Sequence, residues 1–174
     1  MVTLFMMLVA AVVHFYMIYI YKNIVLWGGV DYSMSLIHLA KTIMSNSDFT
    51  CDEAVNMNTN KTYGFVVSHS VFHYFKDLDY AKDVLVKMIQ KSNKKIAIFD
   101  INDKTKRNQY HQIRMANIDK KEYKEKYKGL EHLFYEKNWF KEIAKEFSLK
   151  ISIFDQTFEN YPNSSLTFNV IMEK

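Results

Sequence analysis

The stretch Gly29-Val30-Asp31-Tyr32-Ser33 constrains this chain more than any other: apolar residues 24–27 run into two glycines and an acid, and an amphipathic helical pattern begins directly afterwards. An acid at the carboxyl end of a parallel strand, with a helix behind it, is placed to hold the two hydroxyls of a ribose. The pattern predicts an α/β domain of the nucleotide-binding type.

With 174 residues, 49% of them apolar, the chain is long enough for one domain with a substantial core and too short for two comfortable ones. A single cysteine, Cys51, excludes an internal disulfide framework. The net charge of +4 is modest, and the basic excess lies beyond residue 60. No run of consecutive Lys or Arg marks a nucleic-acid partner.

Residues 2–21 carry no formal charge, and Lys22 closes the run. About 20 apolar residues suffice for a helix that spans a bilayer. The positive n-region and small-residue cleavage site of a signal peptide are both lacking. Residues 1–22 therefore read as an apolar N-terminal helix, a single-pass membrane anchor with the domain at 23–174 on the cytoplasmic side of Lys22. Two readings compete with the anchor: a buried helix of the domain, or the translation of sequence foreign to the mature protein.

Further along, Leu36, Leu39, Ala40 and Ile43 recur at helical spacing, and a short strand follows at Asp48–Cys51. Phe65-Val66-Val67 and Ile96-Ala97-Ile98-Phe99 are apolar enough for strands buried on both faces, with a helix carrying Ala81, Val84, Leu85 and Met88 between them, capped by Asp77 or Asp79. Residues 102–128 form a polar excursion that includes Tyr110, His111, Arg114 and Met115, a lid or a solvated helix pair. Phe140, Ile143, Ala144 and Phe147 restore a helical apolar face before two last strands. The link at 155–165 has hairpin length, which predicts an antiparallel final strand.

A sheet that finishes with a helix, a strand, a hairpin-length link and an antiparallel strand resembles the class I S-adenosylmethionine-dependent methyltransferases. Gly29-Val30-Asp31-Tyr32-Ser33 looks like the end of that family's second strand, Cys51-Asp52-Glu53-Ala54 like the end of its third, Val66-Val67-Ser68-His69-Ser70-Val71-Phe72 like its fourth strand and following loop, and Leu166-Thr167-Phe168-Asn169-Val170 like its closing strand. The match runs over residues 24–174. It departs where the family's first strand ends in a Gly-x-Gly loop: the chain's four glycines, Gly28, Gly29, Gly64 and Gly129, leave none upstream for that loop. The expected fold is an incomplete Rossmann-like methyltransferase sheet, without its first strand and glycine loop, with helices on both faces and an antiparallel last strand.

The resemblance implies S-adenosylmethionine as cofactor and a small-molecule substrate. It implies Asp31 at the ribose hydroxyls, Tyr32 against the adenine, Glu53 (or Asp52) with the Ala54 backbone at the adenine amino edge, and Ser68 in the loop at the methionine moiety. His69 and His73 are then the substrate-side candidates for orienting or deprotonating an acceptor. Asp31 as a plain helix cap and Glu53 as a surface acid are the competing structural readings. The two histidines stand four apart without the Glu of a His-Glu-x-x-His site or a third ligand, so no metal is expected. Three functions follow: an active methyltransferase, a catalytically inactive methyltransferase-like and membrane-tethered interaction protein, or a part of a longer enzyme.

Overall fold

The computed structural model describes residues 4–8, 26–45, 47–115, 119, 121–122, 125, 128, 131–157 and 164–174. Its centre is a single seven-stranded sheet. The strands are β1 (Leu4–Leu8), β2 (Leu26–Asp31), β3 (Asp48–Cys51), β4 (Tyr63–His69), β5 (Ser92–Asn102), β6 (Lys150–Asp155) and β7 (Thr167–Glu173), in the spatial order β3-β2-β1-β4-β5-β7-β6. β1 to β5 pair in parallel, and β7 inserts antiparallel between β5 and β6, as the hairpin-length link predicts. Among the described residues four α-helices complete the frame: α1 (Met34–Ile43) packs on β2 and β3, α2 (Leu78–Lys91) on β4 and β5, and α4 (Lys137–Glu146) on β6, while α3 (Arg107–Met115) lies beyond the end of β5.

The first strand, expected to be missing, is present. Leu4–Leu8 runs between β2 and β4, with Leu4 opposite Leu26, Leu8 opposite Val30 on one side and Leu8 opposite Ser68 on the other. This also corrects the continuous apolar helix over residues 1–22, since five of its residues are strand. A parallel strand covered on both faces reads as an unbroken apolar run, and periodicity cannot separate such a run from a buried helix. The rest of that segment, 9–25, lies outside the described residues. Among the described residues no helix is long and apolar enough to cross a membrane.

The other elements form where their sequences direct them. Ser33, not Asp31, caps α1, its hydroxyl accepting from the Leu36 amide at 3.4 Å. Asp77 caps α2 by accepting from the Tyr80 amide at 2.7 Å. Ala81, Val84, Leu85 and Met88 are fully buried against Ile96, Ile98, Val170 and Met172, and Phe140 joins the same core from α4. β5 extends well past its apolar start, to Asn102, because β7 continues to pair with it beyond a bulge between Ile98 and Ile101. Gly28 is dictated by packing: a Cβ there would stand 2.8 Å from Tyr63 Cζ, closer still to the hydroxyl, and 3.0 Å from the Asp48 carbonyl oxygen.

Candidate functional site

In an open parallel sheet, ligands bind beyond the carboxyl ends of the strands, at the point where the strand order reverses. Here that point is β1, flanked by β2 and β4. Asp31 and His69 each stand one residue beyond the pair level of Leu8, on opposite sides of it. Two interstrand spacings separate them, roughly 10 Å.

Asp31 is 5% exposed. Its Oδ1 accepts from the Ser33 amide at 2.7 Å, an Asx-type turn that aims the carboxyl group across the strand end. Burial raises its pKa, and the Ser33 amide works in the opposite sense. The other oxygen, Oδ2, accepts no hydrogen bond among the described residues. A buried carboxylate with an open acceptor is what a ribose diol needs. Tyr32, beside it, is 82% exposed. The ends of β2 and β3 are stitched together by the Asp52 amide donating to the Asp31 carbonyl at 3.0 Å. Asp52 turns inward on its own loop, accepting from the Glu53 amide at 2.7 Å and from Asn56 Nδ2 at 2.8 Å. Glu53 accepts from the Tyr80 hydroxyl at 2.7 Å, which pushes that phenol up to about 12 together with burial. Ala54 packs partly buried on the core. Of the two acids weighed for the adenine edge, Asp52 is committed to its turn and Glu53 is the exposed one.

Beyond β4 the arrangement differs from the sequence expectation. Ser68 is not in a loop: β4 continues through His69, with Ser68 opposite Ile98 and His69 opposite Phe99. The Ser68 hydroxyl is fully buried and has no hydrogen-bond partner among the described residues. His69 Nδ1 lies 3.0 Å from Ser70 Oγ, and that hydroxyl donates to Asp100 Oδ2 at 2.6 Å. A hydroxyl has one proton; with it given to the carboxylate, Ser70 accepts from His69 Nδ1–H, which fixes the orientation of the ring. Ser70 and Asp100 both adopt left-handed backbone conformations, φ 55° and 61°. One follows the end of β4 and the other lies at the bulge of β5, and their surroundings hold both in that strained conformation.

His73 is 7% exposed, with Nδ1 buried and unpartnered among the described residues. Burial lowers its pKa, against the Asp100 charge and a bond to the Asp100 backbone that raise it. Its ring centroid is 4.7 Å from that of His132. Residues 131–135 cross this end of the sheet. The Leu133 amide donates to the His73 carbonyl and the Tyr135 amide to the Asn102 carbonyl, both at 2.9 Å. His132 Nδ1 lies 2.6 Å from the Tyr110 hydroxyl of α3, and the Arg114 guanidinium stacks 4.9 Å from the Tyr110 ring. Burial and the neighbouring cationic groups lower the His132 pKa to about 4. Residues 131–135 and α3 are therefore tied together beside His73. Ser70, Asp100 and His132 are the site residues the sequence reading missed; a serine after a strand, an aspartate ending one and an isolated histidine carry no periodic signal.

A separate cavity of about 300 Å3 follows β3, between Asp52 and Lys91. Its charged groups satisfy one another: Lys61 and the Tyr63 hydroxyl both reach Asp48 at 3.3 Å, and Lys91 bonds the carbonyls of Asn58 and Lys61.

No protein-family model matches the chain, and no curated protein matches it. Solved structures do. The plantazolicin methyltransferase BpumL, in complex with a triazolic substrate analog and S-adenosylhomocysteine, superposes with a TM-score of 0.71 at 15% identity, over 99% of this chain and 76% of that one. The chain has the class I methyltransferase fold. N-methyltransferase NodS from Bradyrhizobium japonicum WM9, also with S-adenosylhomocysteine, gives a TM-score of 0.67 at 10% identity over 99% and 76% of the two chains. Magnesium protoporphyrin IX methyltransferase from Synechocystis PCC 6803 with the same molecule gives 0.65 at 10% over 99% and 73%. In this fold Asp31 and His69 stand on either side of the switch point.

Proposed function

We propose that this protein is an S-adenosylmethionine-dependent methyltransferase acting on a small molecule. The observation that carries the reading is the buried Asp31 carboxyl group, with one oxygen open, at the switch point of the sheet. Asp31 would hold the ribose hydroxyls, Tyr32 would lie against the adenine, and Glu53 with the Ala54 amide would meet its amino edge. These residues fit the nucleoside half of the cofactor. The half that needs a close backbone approach does not fit: no glycine stands between Leu8 and Gly28.

When bound, the cofactor supplies a methyl group already activated by a sulfonium, so the protein has only to align the acceptor and exclude water. His69 would orient or deprotonate the acceptor, with Ser70 and Asp100 holding its ring through Nδ1 and stabilising the charge that develops. Ser68 lies behind it as part of the wall. His73 and His132, uncharged at neutral pH, line the side closed by Tyr110 and Arg114.

Calorimetric titration of the protein with S-adenosylmethionine tests the reading, with Asp31→Ala as control. Binding that disappears in Asp31→Ala supports it; binding of equal strength in both proteins places the cofactor elsewhere and refutes the site. The inactive methyltransferase-like alternative is favoured by one observation, the glycine-free stretch after β1. Its membrane tether has lost its main support, because Leu4–Leu8 belongs to the sheet.

A further inference from the structure

The strand order puts β1 at the switch point, and the register puts its last residue, Leu8, level with Val30 and Ser68, at the sheet end where a ligand cradle belongs. A cradle there needs glycine, yet the chain reads Val9-Ala10-Ala11-Val12-Val13. Valine and alanine codons all begin with guanine and carry a pyrimidine second. Read one base earlier, so that each codon takes the third base of one triplet and the first two of the next, a Val/Ala run becomes a run drawn only from Gly, Ser, Cys and Arg.

The flanking residues sharpen this. Methionine has one codon, so Met6-Met7 must read as Asp in the displaced frame, and Met7-Leu8 as Val or Ala. The displaced frame therefore encodes Asp-(Val/Ala), then five residues from Gly, Ser, Cys and Arg over Leu8 to Val13, then one of Thr, Pro, Ala or Ser at Val13-His14, then Phe or Leu, Leu, Tyr or His, and a second obligatory Asp at Met17-Ile18. Glycine results where the third base of Leu8 and of Ala10 is guanine, giving Asp-x-Gly-x-Gly with the acid at the end of β1. No stop codon can arise in this frame from Met6 until Tyr21-Lys22. The other displaced frame is closed by an obligatory stop at Met6-Met7.

We infer that the functional product of this gene carries, in place of residues 6–13, an Asp-(Val/Ala)-Gly-x-Gly turn read from this neighbouring frame, joined to the domain by the skipping of one nucleotide before Leu26. The turn would lie between Asp31 and His69 and supply the backbone cradle that the chain as translated lacks. The inference rests on the proposed function only in giving that cradle an adenosyl cofactor to hold. It also accounts for the charge-free character of residues 2–21: glycine-type codons read out of frame become valine and alanine, and the displaced frame returns two aspartates to the run.

The test is to sequence the gene and its transcript across codons 1–26 and to identify, by mass spectrometry, the amino-terminal peptides of the protein from its own cells. Guanine at the third base of both Leu8 and Ala10, and a peptide joining Asp-x-Gly-x-Gly to Leu26, are the expected results. Any other base at either position, or peptides that carry only Met6 to Lys22 as translated, overturns the inference. The joined chain is then titrated with S-adenosylmethionine. If it carries the glycine turn and binds no cofactor, the proposed function falls while the reading-frame inference stands.

Discussion

Ser70 and Asp100 do at the level of single residues what no pattern of sequence announces. Each spends backbone energy, about 1 kcal/mol or more, to hold a left-handed conformation, and together they fix one proton on His69. Ser70→Ala keeps the strain and loses the hydroxyl. We expect turnover to drop by about 10-fold to 100-fold, with the acidic limb of the pH–rate profile displaced and cofactor affinity unchanged. A profile identical to the parent's would remove Ser70 and Asp100 from the proton path. Gly28 makes a purely steric prediction. Its missing Cβ lets the Tyr63 ring lie against β2, so Gly28→Ala should cost about 1–3 kcal/mol in a urea melt, and Tyr63→Phe in the same background should recover part of it by removing the nearest atom.

Among the elements, the segment 131–135 and α3 form one unit with the end of β5, held by Leu133, Tyr135 and the Tyr110–His132 contact. His132 titrates near 4 in the folded protein and near 6.5 when unfolded. Between those values the unfolded chain binds the extra proton, so stability rises with pH across that window and is lost as pH falls through it. His73, lowered by burial, adds to the same slope. Thermal melts from pH 7 down to pH 4 should show a falling midpoint, and His132→Phe should flatten the decline; an unchanged slope would mean that this histidine is open to solvent. Asp77→Ala should cost about 1 kcal/mol through the cap of α2.

The same elements show what the sequence could reveal. α2 was legible because its apolar residues keep the helical period, β4 and β5 because their apolar runs are short and bounded by polar residues, and Asp31 because glycines and a helix start frame it. β1 was not, since five apolar residues inside a longer apolar run fit a helix equally well and only their two neighbours in the sheet decide. The site beyond β4 was half legible: His69 and His73 follow a readable strand, while Asp100 and His132 reach it from 27 and 59 residues beyond His73 in sequence, a proximity that only the fold creates.

For the whole molecule, β1 is the only strand that links β2 and β3 to the other four. Without it, two rows of backbone donors and acceptors face each other across a gap, a surface that pairs with other chains or frays. A shortened protein starting at Asn23 should therefore lose its sharp unfolding transition and aggregate; a cooperative melt of that monomer, matching the full chain's, would show that β1 contributes little.

The central place of β1 also sets a timetable. It leaves the ribosome before both of its partners, the second ending only at His69. Through that interval the most apolar stretch of the chain has nothing to pair with. The strands from β4 onward make their hairpin and helix contacts among themselves, without β1. A nascent chain of this order depends on whatever shields its first residues while the rest is made.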